Sequence, residues 1–223
     1  MLMLWCVTAV ASGGRAPVRG ACGVSGVLAP PRPARPCGQA RQANASVNAK
    51  SEAVLMRDIL YGVTAIRRAA DADADRIWSI LEPVIRAGET YTLPRDMTRD
   101  AALAYWFAPE HEVFVAEEDG EVAGTYFLQP NQKGGGAHVA NCGYMTALHA
   151  MGRGIARAMC AHSLERARER GFRSVQFNFV VSTNERAVKL WESFGFQVIG
   201  VLPEAFLHPT RGYVNSFVMH RSL

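Results

Sequence analysis

The residues with the clearest chemical potential lie between Gly143 and Ala156, in the run Gly-Tyr-Met-Thr-Ala-Leu-His-Ala-Met-Gly-Arg-Gly-Ile-Ala. A strand-like stretch passes there through a short loop into an amphipathic segment, which puts Gly152 and Gly154 at the start of a helix. Such a start leaves backbone N–H groups unpaired and presents the positive pole of the helix dipole, while glycines let a phosphate approach the backbone closely. An anionic ligand is therefore expected there. No Gly-Lys-Ser/Thr follows, so the segment is not a Walker loop, and no third glycine completes a Rossmann G-x-G-x-x-G. The five cysteines are odd in number and include no C-x-x-C pair, which excludes a disulfide scaffold and a zinc site; no metal is expected. Cys142 and Cys160 read as small apolar fillers in a reducing compartment, and the cytoplasm is the expected location.

The elements that must position this loop can be read from apolar spacing. Thr64 to Arg68 has the pattern of a short strand, and Asp71 to Arg86 places Ile77, Ile80, Leu81, Val84 and Ile85 at helical spacing, with Asp71 as the cap. A turn-rich connection from Gly88 to Pro94 leads to a second helix from about Thr98 to Phe107, capped by Asp96 or Thr98. His111 to Ala116 and Val122 to Leu128 form a hairpin across Asp119-Gly120, and Ala137 to Met145 is a further strand. The glycine-rich loop opens a helix that Gly171 stops. Ser174 to Phe179 is a strand, Thr183 to Phe194 a helix, and Phe196 to Leu202 and Tyr213 to Met219 are the last strands. The order is mixed α/β (α+β), with no internal repeat. Trp106, Phe107, Trp191 and Phe194 read as core, and Arg166, Arg168, Glu169 and Arg170 as a solvated helix face.

The formal charge of +4 is unevenly distributed. No acid precedes Glu52, while Arg15, Arg19, Arg32, Arg35, Arg41 and Lys50 place six positive charges there, which leaves the remainder at −2. A weakly acidic domain gives no electrostatic reason to expect nucleic acid as a partner. No apolar run reaches the roughly 18 residues of a membrane span, so no membrane partner is expected either. Residues 1–57 carry no apolar period and are expected to be a disordered or non-native leader, with Met56 as an alternative start. The leader's Arg-rich, acid-free composition also resembles a transit peptide. The domain is expected to span 64–223.

Two segments together resemble a known family. Met151-Gly-Arg-Gly-Ile-Ala156 looks like the pyrophosphate loop of the GCN5-related N-acetyltransferases (GNAT), and Asn184-Glu-Arg-Ala-Val-Lys-Leu-Trp-Glu-Ser-Phe-Gly-Phe196 looks like their second signature. A closer similarity is to fungal acetyltransferases acting on proline-like amino acids such as azetidine-2-carboxylate, carried by Asn141-Cys-Gly-Tyr144 and Phe177-Asn-Phe-Val-Val-Ser-Thr-Asn184. The resemblance implies a mainly antiparallel central sheet flanked by helices, and acetyl-CoA as co-substrate. It also implies acetyl transfer to the amine of a small molecule, an amino acid or imino acid; a protein N-terminus or lysine, or a non-catalytic acyl-CoA sensor, are the alternatives. A homodimer is an expectation of the same kind.

The resemblance assigns roles residue by residue. Met145, Thr146, Gly152, Arg153, Gly154, Ile155, Ala156 and Asn184 are expected to contact acetyl-CoA, with a backbone N–H near Met145 polarising the acetyl carbonyl. Asn141 and Asn178 are expected to orient the acceptor as catalytic residues, and Glu89, Tyr91 and Thr92 to wall the acceptor site. Asn184 also reads as an ordinary helix N-cap. Two positions depart from the family pattern: Met151 stands where a polar residue usually opens the loop, leaving Arg153 to supply charge. Trp191 stands where a tyrosine often protonates the leaving thiolate, and an indole has no titratable proton in the useful range. Catalysis is then expected to rest on positioning and on donors aimed at the developing oxyanion.

Overall fold

The computed structural model describes residues 65–223, so the expectations for residues 1–57 and for Thr64 lie outside the described residues. Seven strands form one sheet in the order β1-β2-β3-β4-β5-β7-β6: β1 (Ala65–Arg68), β2 (Glu112–Glu118), β3 (Glu121–Pro130), β4 (Val139–Thr146), β5 (Ser174–Val181), β6 (Gln197–His208) and β7 (Gly212–Ser222). All neighbours run antiparallel except β4 and β5. Four helices cover the sheet: α1 (Ala74–Ala87), α2 (Arg99–Trp106), α3 (Ile155–Glu169) and α4 (Glu185–Ser193). The order of elements follows the sequence reading throughout. The last two strands run further than expected because β6 and β7 pair with each other over almost their whole length.

Strand alternation sorts the helices onto two faces. On β3, Thr125 Oγ1 accepts from Trp106 Nε1 of α2, whereas the next residue, Tyr126, meets His162 of α3 through its hydroxyl. The core fills both layers, with Ile77, Ile80, Leu81, Ile85 and Trp106 on the first side and Ile155, Met159, Leu164 and Trp191 on the second. Gly124 sets the closeness of the second layer. A Cβ there would lie 2.7 Å from Ile155 Cγ2 and 2.9 Å from Met159 Cε, so only glycine lets the start of α3 seat on β3.

Several local expectations are corrected. Asp73, not Asp71, organises the start of α1: its carboxylate accepts from Ala70 N at 2.8 Å and is held by both terminal nitrogens of Arg67. A short 3-10 turn at Asp71–Asp73 precedes the α-helix and shifts the capping position by two residues. Thr98 is the cap of α2, accepting from Ala101 N. The arginines of α3 are not simply solvated, because Arg166 and Arg170 both reach the buried carboxylate of Glu112 at 2.7 Å. A buried carboxylate is tolerated only when paired, and this one draws cations from across the sheet. Among the described residues no helix is long and apolar enough to cross a membrane.

Candidate active site

The sheet splits at its centre. β4 and β5 pair only at Val139↔Ser174 and Ala140↔Val175, after which the two strands diverge. Where the ladder stops, Asn141 Nδ2 donates to Gln176 O at 2.7 Å and closes the base of the opening. β5 also bulges between Phe177 and Val180, so Asn178 and Phe179 are released from regular pairing with β7. The opening leads into a cavity of about 440 Å³ lined on one side by Glu89, Tyr91 and Thr92 and on the other by Val181, Asn184 and Trp191. That volume lies within the range of small-molecule sites.

The direction of the backbone along β4 decides which groups face the opening. Val139 O accepts from Asn131 N and Ala147 N donates to Ala123 O, so odd-numbered residues between them turn their N–H and C=O toward β3. Met145, opposite Thr125, therefore spends its N–H in the β3–β4 ladder. The N–H groups near Met145 that face the open edge are those of its neighbours Tyr144 and Thr146. The Tyr144 carbonyl on the same edge accepts the Tyr91 hydroxyl at 2.9 Å, which ties the 88–98 connection to the cleft. Gly143 makes that approach possible. A Cβ there would stand 2.5 Å from the Phe127 ring and 3.2 Å from the Tyr91 hydroxyl, and Phe127 is itself stacked on His111 at 4.0 Å.

At one end of the cavity lies the glycine loop. Gly152 and Gly154 have φ of +81° and +87° with open space where a side chain would point. The first helical bond of α3 runs from Ala158 N to Gly154 O and no side chain caps the helix, so the N–H groups of its first turn stay open. Such open N–H groups suit an anionic ligand through backbone alone. Ile155 buries its side chain against Gly124, and Ala156 is partly buried. Arg153 is not a free cation in this structure: its Nη2 lies 3.1 Å from Oε1 of Glu118, a buried carboxylate at the β2–β3 hairpin. Met151 lines the cavity with an apolar side chain.

The two asparagines share a face but not a role. Asn141 is two residues from Gly143, hence on the α1/α2 side, and among the described residues its Oδ1 meets no donor while Nδ2 braces β5. Asn178 is exposed and sits within a chain of amides, accepting from Gln176 Nε2 at 2.9 Å and donating to Asn131 Oδ1 at 2.6 Å. Asn184 caps α4, accepting from Ala187 N at 3.3 Å, and also borders the cavity.

The remaining titratable groups narrow the chemistry. Burial pushes the Cys142 thiol up to about 12, so it stays protonated and is not a nucleophile. Desolvation likewise raises Tyr91, Tyr105 and Tyr144, which act as neutral hydroxyls. Among the described residues Glu89 is the carboxylate on the cavity wall, and none of them that borders it is a lysine or arginine. The lining offers hydrogen bonds and a single negative charge, and so suits transfer of a group to an amine held in place, without a covalent enzyme intermediate. Sequence reading missed Gly124, Glu118 and the Gly143–Phe127 contact, because each depends on a partner distant in the chain.

Comparison with known proteins agrees with this geometry. The model of the acetyltransferase (GNAT) family matches residues 74–196, more than half of the chain. An N-acetyltransferase from Schizosaccharomyces pombe, aca1, is 28% identical over 151 residues, covering 60% of this chain and 72% of that protein. The structure of a GCN5-related N-acetyltransferase from Kribbella flavida is 46% identical, with a TM-score of 0.69 over 71% of this chain and 97% of that one. A structure from Salmonella typhimurium named yncA, solved with acetyl-CoA, shares the fold at 23% identity and a TM-score of 0.64, over 71% of this chain and 93% of that one. With a split sheet, an open helix start beside it and a family model over both, the chain belongs to the GNAT family and is an acetyl-CoA-dependent N-acetyltransferase.

Proposed function

We propose that the acceptor is the amine of a small amino acid or imino acid, of the proline-like type that Asn141-Cys-Gly-Tyr144 and Phe177-Asn178 suggest. The observation that carries this reading is the cavity wall. It is small, its mouth is braced by Tyr91 on Tyr144 O, and among the described residues Glu89 is its charged lining residue. A lone carboxylate favours an amine, and a peptide acceptor would call for an open groove with charges matched to its target.

Acetyl-CoA supplies an activated thioester. The first-turn N–H groups of α3 hold its phosphates, and the N–H groups of Tyr144 and Thr146 polarise the acetyl oxygen. Asn141 Oδ1 accepts from the acceptor nitrogen and so orients its lone pair, while Tyr91 and the ring of Phe127 limit water. Asn178, Glu89 and Thr92 border the acceptor, and Asn184 the co-substrate. The domain spans 64–223, and the protein works in the cytoplasm, a reading supported by two buried free thiols. The edge strand β6 exposes Val198, Ile199, Val201 and Leu202, which supports a homodimer; sedimentation that returns only monomer would refute it.

The test is thiol release from acetyl-CoA across a panel of free amino acids, imino acids and short peptides. Azetidine-2-carboxylate, proline analogues and small amino acids are expected to give the highest kcat/KM. Faster acetylation of peptide N-termini or lysines than of any free amino acid would overturn the proposal.

A further inference from the structure

A second cavity adjoins the reaction cleft. It has a volume of about 530 Å³ and lies between the 88–98 connection, which contributes Gly88, Tyr91, Thr92 and Arg95, and the end of β6, which contributes Phe206 and His208. Tyr91 and Thr92 border both cavities, and Phe206 packs on Phe179 of the first at 6.2 Å. Their charges are opposite. Among the described residues Glu89 is the charged residue on the first wall and Arg95 the charged residue on the second, which no carboxylate borders.

Arg95 is anchored at its base and uncommitted at its tip. Gly88 ends α1 at φ +65°, and a Cβ there would lie 2.7 Å from Arg95 Cδ and 2.9 Å from Cγ, so a larger residue would displace the arginine stem. Arg95 Nε donates to Arg86 O at 2.8 Å, and Arg86 Nη1 donates back to Arg95 O. Arg86 has Glu82 at 3.5 Å as counter-ion, whereas among the described residues the terminal nitrogens of Arg95 meet no acceptor. A planar pair of guanidinium donors matches the two oxygens of a carboxylate.

The facing wall adds a donor. β6 bulges between Leu202 and Phe206, where Glu204 takes φ +48° and its N–H donates to Asn215 Oδ1 at 3.0 Å. A left-handed non-glycine residue persists only where its surroundings hold it. Pairing resumes beyond the bulge at Phe206↔Val214 and His208↔Gly212, so Phe206 and His208 share one face of the strand, at 8% and 7% exposed. Thr210 N donates to His208 Nδ1 at 3.2 Å, which places the proton of the neutral ring on Nε2; among the described residues that N–H meets no acceptor.

We propose that this second cavity receives the carboxylate of the acceptor, with Arg95 and His208 as the residues that select an amino acid over a plain amine or an amide. The proposal deepens the amino-acid reading above and rests on it. A zwitterion carries both charges within one small molecule, and the adjoining cavities offer a carboxylate for its ammonium and a guanidinium for its carboxylate. The acid group takes no part in the bonds made and broken, so loss of its partner is read in KM rather than in kcat. A peptide N-terminus has an amide in place of that carboxylate and gains no charge pairing from Arg95.

The test measures kcat and KM for azetidine-2-carboxylate, its carboxamide and azetidine, and for alanine and alaninamide, in wild type, Arg95→Met, Arg95→Lys and His208→Phe. Wild type should acetylate each acid with a KM about ten- to 150-fold below that of its amide. Arg95→Met should raise KM for the acids by about the same factor while KM for the amides and Kd for acetyl-CoA stay unchanged. Arg95→Lys keeps the charge and loses the fork, and should fall between. His208→Phe loses a neutral donor and should raise KM for the acids about two- to tenfold. The wild-type comparison of acid with amide decides the matter if a variant fails to fold. Equal KM for acid and amide in wild type, or an Arg95→Met that shifts both alike or neither, would overturn the proposal and leave the amino-acid reading standing. Faster acetylation of peptide N-termini than of any free amino acid would refute that reading and this proposal with it.

Discussion

Gly154→Val separates the phosphate-binding role of the α3 N-terminus from its contribution to stability. Gly154 has φ +87° and ψ −2°, a left-handed conformation that costs an L-residue about 1–2 kcal/mol, and more for a β-branched one. No protein atom lies within 4 Å of the added Cβ, so the substitution makes no clash and the strain is the whole folding cost. For a domain of this size that strain corresponds to a fall in Tm of about 2–8 °C. The ligand-side cost is larger. The valine methyl groups would occupy the space that a phosphate must enter to reach the open N–H groups of Ile155 and Ala156, and charge-assisted bonds of this kind contribute about 1.5–3 kcal/mol each. Loss of one or two predicts a Kd for acetyl-CoA raised at least about tenfold and at most about twenty-thousandfold. Calorimetric titration beside a thermal melt reads both quantities. Gly154→Ala carries similar backbone strain with less bulk and should lose less affinity than valine. Wild-type affinity in a folded Gly154→Val would refute the reasoning, and equal losses in alanine and valine would assign the effect to backbone distortion.

Other residues give sharper tests of individual contacts. Asn141→Ala should lower turnover about five- to 150-fold with little change in acetyl-CoA affinity, whereas Asn178→Ala should do clearly less because its amide is exposed and engaged with Gln176 and Asn131; equal effects in steady-state kinetics would contradict this division. Gly143→Ala forces a Cβ to 2.5 Å from the trapped Phe127 ring and should destabilise the fold by about 1–3 kcal/mol in urea titrations; an unchanged midpoint would show that Phe127 can move. Hydrogen bonds from Arg67 hold the Asp73 carboxyl down to about 2, below its unfolded value of about 3.9, so the pair stabilises above pH ~4 and that contribution is lost as pH falls toward 2. Since Arg67 is 40% exposed, Asp73→Asn should cost only about 1–2 kcal/mol at neutral pH, a difference that fades in acid; a pH-independent difference would assign the loss to the Ala70 contact instead.

Local spacing was enough for the order of strands and helices and for the place of the glycine loop. Those features depend on residues within one turn or one pleat of each other. The period of Ile77, Ile80, Leu81 and Ile85 fixes a helix face, Asp119-Gly120 fixes a hairpin with both residues at positive φ, and Gly152 and Gly154 mark a helix start by their own backbone freedom. Three kinds of fact were decided only by tertiary structure. Charge pairing was one: Arg153 meets Glu118, and Arg166 and Arg170 meet Glu112 more than fifty residues away, because burial of a carboxylate selects whichever cation the fold brings near. Strand parity was another, since a shift of one residue reverses every N–H, and this is what picks Tyr144 and Thr146 as the N–H groups near Met145 that face the open edge. The last was satisfaction of buried donors. Trp106 and Trp191 are the same residue to a sequence, and only the packed sheet shows that Thr125 answers the Trp106 indole while Trp191 lines the cleft.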